Sequence, residues 1–328
     1  MIAFIRNNRL LALFIFIPIH LILYILACLN NKTDILNISF GPLLDLLYWI
    51  MFEGLSMQYW VIYVLQYGLL LYQAVLVNNI FKSQFINQQH WMIFIVYLLL
   101  NMVCQTSSLG LGWHLSITIL IYIVQILIKI SQGKNVYKEL FDVCFLAGLS
   151  IFLVPSFIIF LPFVWIVLLR QRSYKINEFA IAFIGLIIPS IWYLSYIYVF
   201  DVSINTYAYI ENYIGELSYL PFIGYDDFVF FAILVYIALS SIFNIQTNLS
   251  RSSVKNRNFF ILQFWLLLFS VLGFFLITEK DKVGAMALSI PLTFIISFQL
   301  INIKRVLVAD IFFTLLFLAS IERQLNFL

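Results

Sequence analysis

Long apolar runs separated by short polar or charged segments make up most of the chain. A helix needs ~20 residues to cross a hydrocarbon layer of ~30 Å, and most of these runs come close to that length. The pattern predicts an all-α polytopic bundle of about eleven transmembrane helices, or spans. Their predicted bounds are about 10–29, 59–77, 91–104, 115–128, two short spans within 138–172, 179–200, 228–243, 259–277, a tenth span ending before Lys304 and an eleventh running out to Glu322.

The pattern of the segment from Lys138 to Arg172 predicts that the chain reverses direction within it. Its charged ends enclose about 30 residues, interrupted by Val154-Pro155-Ser156. That length suits two short, tilted crossings better than one upright crossing. Since Pro155 lacks a backbone N–H, it disfavours one continuous helix. We expect a helical hairpin whose two ends face the same side of the membrane.

The positions of lysine and arginine predict the orientation, because positive loops stay on the cytoplasmic side during insertion. With the N-terminus in the cytoplasm, 14 of the 18 basic residues fall inside. If the hairpin were one span, the predicted orientation of every later span would be reversed. The residues left outside are Lys32, Lys280, Lys282 and Arg323.

Composition excludes a soluble protein, since the chain of 328 residues is 64% hydrophobic and only 10% charged. We interpret residues 1–328 as a single integral membrane domain that contacts membrane lipids. A formal net charge of +3 gives no indication of nucleic acid as a partner. The three cysteines are unclustered, so neither a disulfide framework nor a zinc site is predicted.

Two predicted outer segments carry candidate chemistry. In residues 30–58, Gly41-Pro42 resembles a helix start, and the following helix is expected to lie in the outer interface with Asp45 and Glu53 on one side. Asp34 precedes it. These carboxylates either solvate the loop or act as a general base or as ligands for a hard cation such as Mg²⁺.

The second outer segment, residues 201–227, is rich in tyrosine and acid. Tyr213 and Glu216 are candidates for stacking on a sugar and binding its hydroxyls, although tyrosine at an interface also serves as a membrane anchor. Asp310, the only carboxylate inside a predicted span, either pairs locally with Arg305 or serves another span. The three histidines, including His114, are scattered along the chain. The sequence contains no metal-ligand spacing, phosphate loop or nucleophile elbow.

Two family resemblances follow from scattered apolar, glycine and proline positions. Residues 73–198 contain Phe141-Asp142-x5-Gly148-Leu149, then Pro155 and Pro162, then Gly185-x3-Pro189. This order resembles a family of polytopic Bacteroidota inner-membrane proteins of unknown function. The resemblance implies a bacterial inner-membrane location.

The same stretch is similar in rhythm to the C-type (GT-C-like) membrane glycosyltransferases. Ala147-Gly148-Leu149 and Arg170-Gln171-Arg172 occupy the places of that family's hairpin and basic inner loop. The resemblance implies a catalytic acid at Asp34 or Asp45, with His114 standing where the second outer loop often has an acid. The adjacent acidic pair usual in the first loop is absent.

The leading hypothesis is a glycosyltransferase-like protein that handles a polyprenyl-phosphate-linked sugar at the periplasmic face. Asp34 and Asp45 are its predicted catalytic residues, and Glu53, His114, Tyr213 and Glu216 its predicted substrate-binding residues. One alternative is a non-enzymatic subunit of an envelope-assembly or secretion complex, docked on other inner-membrane proteins. A transporter is the third hypothesis, for which internal repeats and ionisable groups at mid-membrane depth are expected.

Overall fold

The computed structural model describes residues 9–30, 43, 59–85, 91–104, 111–131, 136–171, 176–200, 235–236, 238–242, 253–276, 283–303 and 306–325. Within these ranges all regular elements are helices. They are α1 (Arg9–Asn30), α2 (Tyr59–Gln84), α3 (Met92–Cys104), α4 (Leu111–Ile130), α5 (Val136–Leu153), a 3₁₀ helix (Pro155–Ile159), α6 (Phe160–Gln171), α7 (Ile176–Phe200), α8 (Val254–Leu276), α9 (Val283–Asn302) and α10 (Val306–Leu325).

The predicted all-α class is confirmed for the described residues, and each of these helices lies on a predicted span. α2, α4, α7 and α8 are long and apolar enough to cross a membrane. Two of them are longer than predicted. α2 continues seven residues past position 77, and α4 begins four residues before position 115. The predicted eighth span is described only at 235–236 and 238–242, where it is helical.

The chain turns at Pro155, as predicted. α5 ends at Leu153, and Val154 is extended with φ −143° and ψ 104°. A residue before proline is driven into this region because its backbone would clash with the proline ring in a helical conformation. The helix therefore breaks one residue before the proline, and the 3₁₀ turn redirects the chain into α6.

The reversal brings the two ends of the hairpin together. Leu140 near the start of α5 and Leu168 near the end of α6 line the same small pocket. α7 then runs parallel to α5, since Phe141 lies beside Gly185 at one level and Phe152 beside Tyr193 further along. A single continuous helix over 138–172 is therefore excluded.

The α5–α7 interface depends on two glycines in reciprocal positions. A β-carbon on Gly148 would stand 2.8 Å from the carbonyl oxygen of Leu186 and 3.1 Å from the ring of Pro189. On Gly185 it would stand 2.8 Å from the carbonyl oxygen of Phe141. Small residues let helix backbones approach this closely within a membrane. The two glycine motifs singled out in the sequence therefore pack against one another.

The short helix α3 lies at the centre of the described bundle. Every residue from Met92 to Met102 is buried. α1, α2, α9 and α10 pack around it. A helix that is apolar all round has no side suited to water, and here that helix is enclosed by protein.

Helix ends next to two predicted inner loops meet at one end of the described bundle. The Lys255 ammonium donates a hydrogen bond of 2.8 Å to the Ser83 carbonyl, which ties the start of α8 to the end of α2. Lys82 lies 4.5 Å above the ring of Trp91, a cation–π contact. Lys82 and Lys255 therefore lie at the same end of the described bundle.

Candidate functional site

Uncharged polar side chains connect α1 to α4 inside the apolar bundle. The set comprises Tyr24 on α1, Gln66 and Gln73 on α2, Tyr97 on α3 and Thr118 on α4, and is called the polar ladder below. All five side chains are buried. Polar groups at this depth need partners because water is absent from the hydrocarbon layer.

Gln73 is the junction of the ladder. Its Nε2 donates to the His114 carbonyl at 2.7 Å and to Thr118 Oγ1 at 3.0 Å. Its Oε1 accepts a hydrogen bond of 2.9 Å from the Tyr97 hydroxyl. Both amide hydrogens and the amide oxygen are thus used. One side chain therefore fixes the spacing of α2, α3 and α4.

The Tyr24–Gln66 part of the ladder joins α1 to α2, and Tyr67 adds further contacts at the same level. The Tyr24 hydroxyl donates to Gln66 Oε1 at 3.1 Å, and the Tyr67 hydroxyl donates to the Ile17 carbonyl at 3.3 Å. The Tyr67 ring also lies 5.2 Å from that of Tyr24 and 5.7 Å from that of His20. Aromatic packing and hydrogen bonding thus act at the same level of the two helices.

These contacts lie close to the predicted outer loops. Tyr24 comes six residues before the end of α1, and Gln66 comes seven residues after the start of α2. At ~1.5 Å per residue, both lie about 10 Å from the helix ends that bound residues 31–58. The ladder therefore holds in place the helices from which the first two predicted outer loops leave.

Most predicted site residues fall outside the described residues: Asp34, Asp45, Glu53, Tyr213 and Glu216. His114 is the exception. Because α4 begins at Leu111, His114 lies in its first turn, and the side chain is completely buried. Gly112 costs such a helix only about 1 kcal/mol relative to alanine. Burial of Leu111 and Trp113 outweighs that cost.

Two further amides lie in the core without a described partner. Neither Asn101 on α3 nor Gln263 on α8 makes a side-chain hydrogen bond to any residue in the described ranges. Both are fully buried. Asp310 is half-buried on α10, and its backbone carbonyl accepts a hydrogen bond of 2.9 Å from Thr314 Oγ1.

The described ranges contain no group of three or more His, Cys, Asp or Glu residues able to hold a metal ion. The carboxylates proposed as cation ligands, Asp34 and Asp45, lie outside those ranges. What the described structure adds is the polar ladder, whose members sequence reasoning missed. Their signal was the seven-residue spacing of Gln66 and Gln73 along one face of an apolar span.

Comparisons with known proteins do not extend this list of candidate residues. No family model, curated protein or solved structure matches the chain.

Proposed function

We propose that the chain is a multi-pass protein of the bacterial inner membrane, with eleven spans and a cytoplasmic N-terminus. It handles a polyprenyl-phosphate-linked sugar at the periplasmic face. Asp34 or Asp45 acts as general base or as a Mg²⁺ ligand, and Tyr213 and Glu216 lie near the acceptor. Glu53 and His114 complete the proposed substrate site.

The polar ladder is the observation that supports this proposal. A carboxylate acts as a general base only when it is held within hydrogen-bond reach of the proton that it removes. The first outer segment carries both candidate aspartates, and the helices at its two ends are joined by the Tyr24–Gln66 hydrogen bond. Gln73 extends the same support to the helix that carries His114.

The proposed reaction needs few protein groups. An acceptor hydroxyl attacks the sugar's anomeric carbon, its proton passes to the aspartate, and the bond to the polyprenyl phosphate breaks. The lipid phosphate leaves with the electron pair of that bond. Mg²⁺ held by the second aspartate would offset the charge on the phosphate.

Paired substitution of the aspartates tests the proposal. General acid–base catalysis contributes about 10²- to 10⁴-fold in rate, so Asp34→Asn with Asp45→Asn is expected to lower sugar transfer by that factor. The polyprenyl-linked donor should accumulate. The matched control, Asp226→Asn with Asp227→Asn, removes the same charge from the other acidic outer segment and retains activity. Unchanged envelope glycan in the first variant removes the catalytic claim.

A non-enzymatic subunit is the second candidate, and α7 favours it. Within the described ranges α7 packs chiefly on α5. Phe183, Ile191 and Leu194 are more than half exposed and lie on one side of the helix. Such a face suits a partner helix as well as lipid. Stable co-purification with inner-membrane proteins, lost on Leu194→Ala and retained on Leu318→Ala of α10, would favour this candidate over the enzyme.

A further inference from the structure

Helix α9 is weakened at its middle by a proline. Pro291 is the ninth of its 20 residues and is buried. Because proline has no N–H, the carbonyl of Ala287, four residues earlier, lacks the donor that an α-helix normally supplies. Ser289 Oγ donates to the Met286 carbonyl and Thr293 Oγ1 to the Ser289 carbonyl, both at 2.6 Å. Such bonds compete with helical ones and favour bending. The helix is therefore easiest to bend at this point.

The two halves of α9 on either side of the proline are held differently. In the C-terminal half, the ring of Phe294 lies 5.2 Å from that of Phe259 on α8, and the ring of Phe298 lies 4.9 Å from that of Phe260. The N-terminal half, residues 283–290, contains no aromatic residue, and half of its residues are glycine, alanine or serine. Ring contacts with α8 thus clamp the C-terminal half, while the N-terminal half lacks aromatic anchors of its own.

The facing side of α8 carries hydrogen-bonding groups without partners. Gln263 comes one turn after Phe259 and Phe260, whose rings contact α9, and Ser270 comes two turns after Gln263. Both therefore lie on the side of α8 that packs on α9. Both side chains are completely buried. Within the described ranges, neither the Gln263 amide nor the Ser270 hydroxyl makes a side-chain hydrogen bond.

The antiparallel packing of the two helices places Ser270 opposite Ala287. The short segment 277–282 joins α8 to α9, and the start of α8 meets the end of α9 at the Phe260–Phe298 contact. Measured from that contact, Ser270 and Ala287 each lie about 15 Å along their helices. Ala287 also lies eleven residues, or three turns, before Phe298 and so on the same side of α9. A hydroxyl without an acceptor thus faces a carbonyl without its helical donor.

We infer that α9 is a hinged helix, in which residues 283–290 move about Pro291 between the observed position and a second position closer to α8. In the second position the Ser270 hydroxyl donates to the Ala287 carbonyl, and the Gln263 amide pairs with backbone groups that the bend exposes. Two positions can exchange only if each has contacts that the other lacks.

The observed position has its own contacts, because α9 also packs on the central helix α3. Movement of residues 283–290 toward α8 loosens that packing, so the hinge acts as a gate beside the buried centre of the bundle. The inference concerns motion alone. It does not depend on the aspartates of the proposed function.

Distances between pairs of spin labels test the hinge on the full chain in nanodiscs, after the native cysteines are replaced. The first pair, Val64→Cys with Val283→Cys, joins the start of α2 to the start of α9. The second pair, Asn79→Cys with Asn302→Cys, joins exposed positions near the ends of the same two helices. Pulsed electron paramagnetic resonance should give two distances for the first pair and one for the second.

Three variants separate the hinge from general mobility. Pro291→Leu restores the missing donor and should lower the second population of the first pair at least fivefold. Pro18→Leu, which replaces the proline inside α1, is the matched control and should retain both populations. Ser270→Ala with Gln263→Leu leaves Pro291 in place and removes the contacts of the second position. It should also lower that population at least fivefold, which keeps the test valid if Pro291→Leu fails to fold.

A single narrow distance for the first pair in the wild type would overturn the inference. So would an unchanged distribution in either Pro291→Leu or the Ser270 and Gln263 variant, or equal broadening of both label pairs, since the whole helix would then move. An experimental structure in which an ordered water joins Ser270 to the Ala287 carbonyl, with one position of α9, would overturn it too. None of these outcomes bears on whether Asp34→Asn with Asp45→Asn abolishes sugar transfer, so the two proposals fail separately.

Discussion

Gly148 of α5 faces the Leu186 carbonyl of α7 so closely that a β-carbon there would stand 2.8 Å from the oxygen. Backbone atoms cannot move aside as a flexible side chain can. The Pro189 ring, 3.1 Å from the same point, closes the other direction. The contact thus sets how near α7 can come to α5.

Gly148→Ala is expected to separate α5 from α7 and to lower the free energy of unfolding. Overpacking of a well-filled interface costs about 1–3 kcal/mol. Unfolding in mixed micelles or a thermal scan of the purified protein measures the change. Gly68→Ala is the matched control, because nothing lies within 4 Å of the added β-carbon. Equal stability of the two variants would contradict the close approach.

Gln73→Leu should destabilise the bundle by withdrawing hydrogen bonds from Tyr97 and Thr118 together. Hydrogen bonds between membrane helices contribute on average ~0.6 kcal/mol and at most ~1.7 kcal/mol each. We expect a loss of about 1–3 kcal/mol in the free energy of unfolding, since the Tyr97 and Thr118 hydroxyls both lose their hydrogen bond to the Gln73 side chain.

A double-mutant cycle isolates the Gln73–Tyr97 bond. Tyr97→Phe in the Gln73→Leu background should cost less than in the wild type, because its partner is already gone. The coupling expected for residues in contact is about 0.5–3 kcal/mol. Additive effects would mean that the 2.9 Å contact stabilises nothing.

Cysteine labelling tests the predicted orientation. With Cys28, Cys104 and Cys144 replaced by serine or alanine, a cysteine at Tyr213 should react with a membrane-impermeant maleimide in intact cells. A cysteine at Arg172 should react only after permeabilisation. The reverse pattern would mean that the chain has the opposite orientation in the membrane, and it would remove every proposed periplasmic site. All positive clusters are assigned to the cytoplasm by the same positive-inside rule.

Removal of the Tyr24–Gln66 bond tests its link to the outer segment. Tyr24→Phe deletes one hydroxyl and keeps the ring that packs on Tyr67 at 5.2 Å. If the ladder positions Asp34 and Asp45, sugar transfer should fall about 10-fold or more, because a small misplacement of a catalytic group lowers the rate strongly. Thermal stability should change little. Tyr198→Phe, on a ring that is 85% exposed, is the control. An activity loss equal to that of the control would contradict the positioning role.

The helices and the hairpin could be predicted because both arise from local chemistry. Apolar runs must satisfy their backbone groups internally in lipid, which makes them helical. The break at Val154 follows from the steric effect of Pro155 alone. Neither conclusion needs a partner helix.

The polar ladder and the place of α3 could not be predicted in the same way. The ladder residues Gln66, Gln73 and Tyr97 are uncharged, so they change the hydropathy of their spans little. They are therefore a weaker sequence signal than the carboxylate of Asp310. Their role depends on which helices are neighbours. For His114, the predicted start of the span placed the residue in a loop, whereas tertiary burial of Leu111 and Trp113 extends the helix past Gly112. The apolar sequence of α3 suits a lipid-facing helix equally well, and only packing distinguishes the two.

The enclosure of α3 has a consequence for biogenesis. This helix of 13 residues is shorter than a bilayer is thick, and two of its main neighbours, α9 and α10, leave the ribosome after all the other described helices. Until they arrive, α3 must shelter against α2 or remain in the insertion machinery. A nascent polypeptide truncated ahead of Val283 therefore presents a half-built centre, and quality-control proteases should degrade it faster than a product that has reached Leu325.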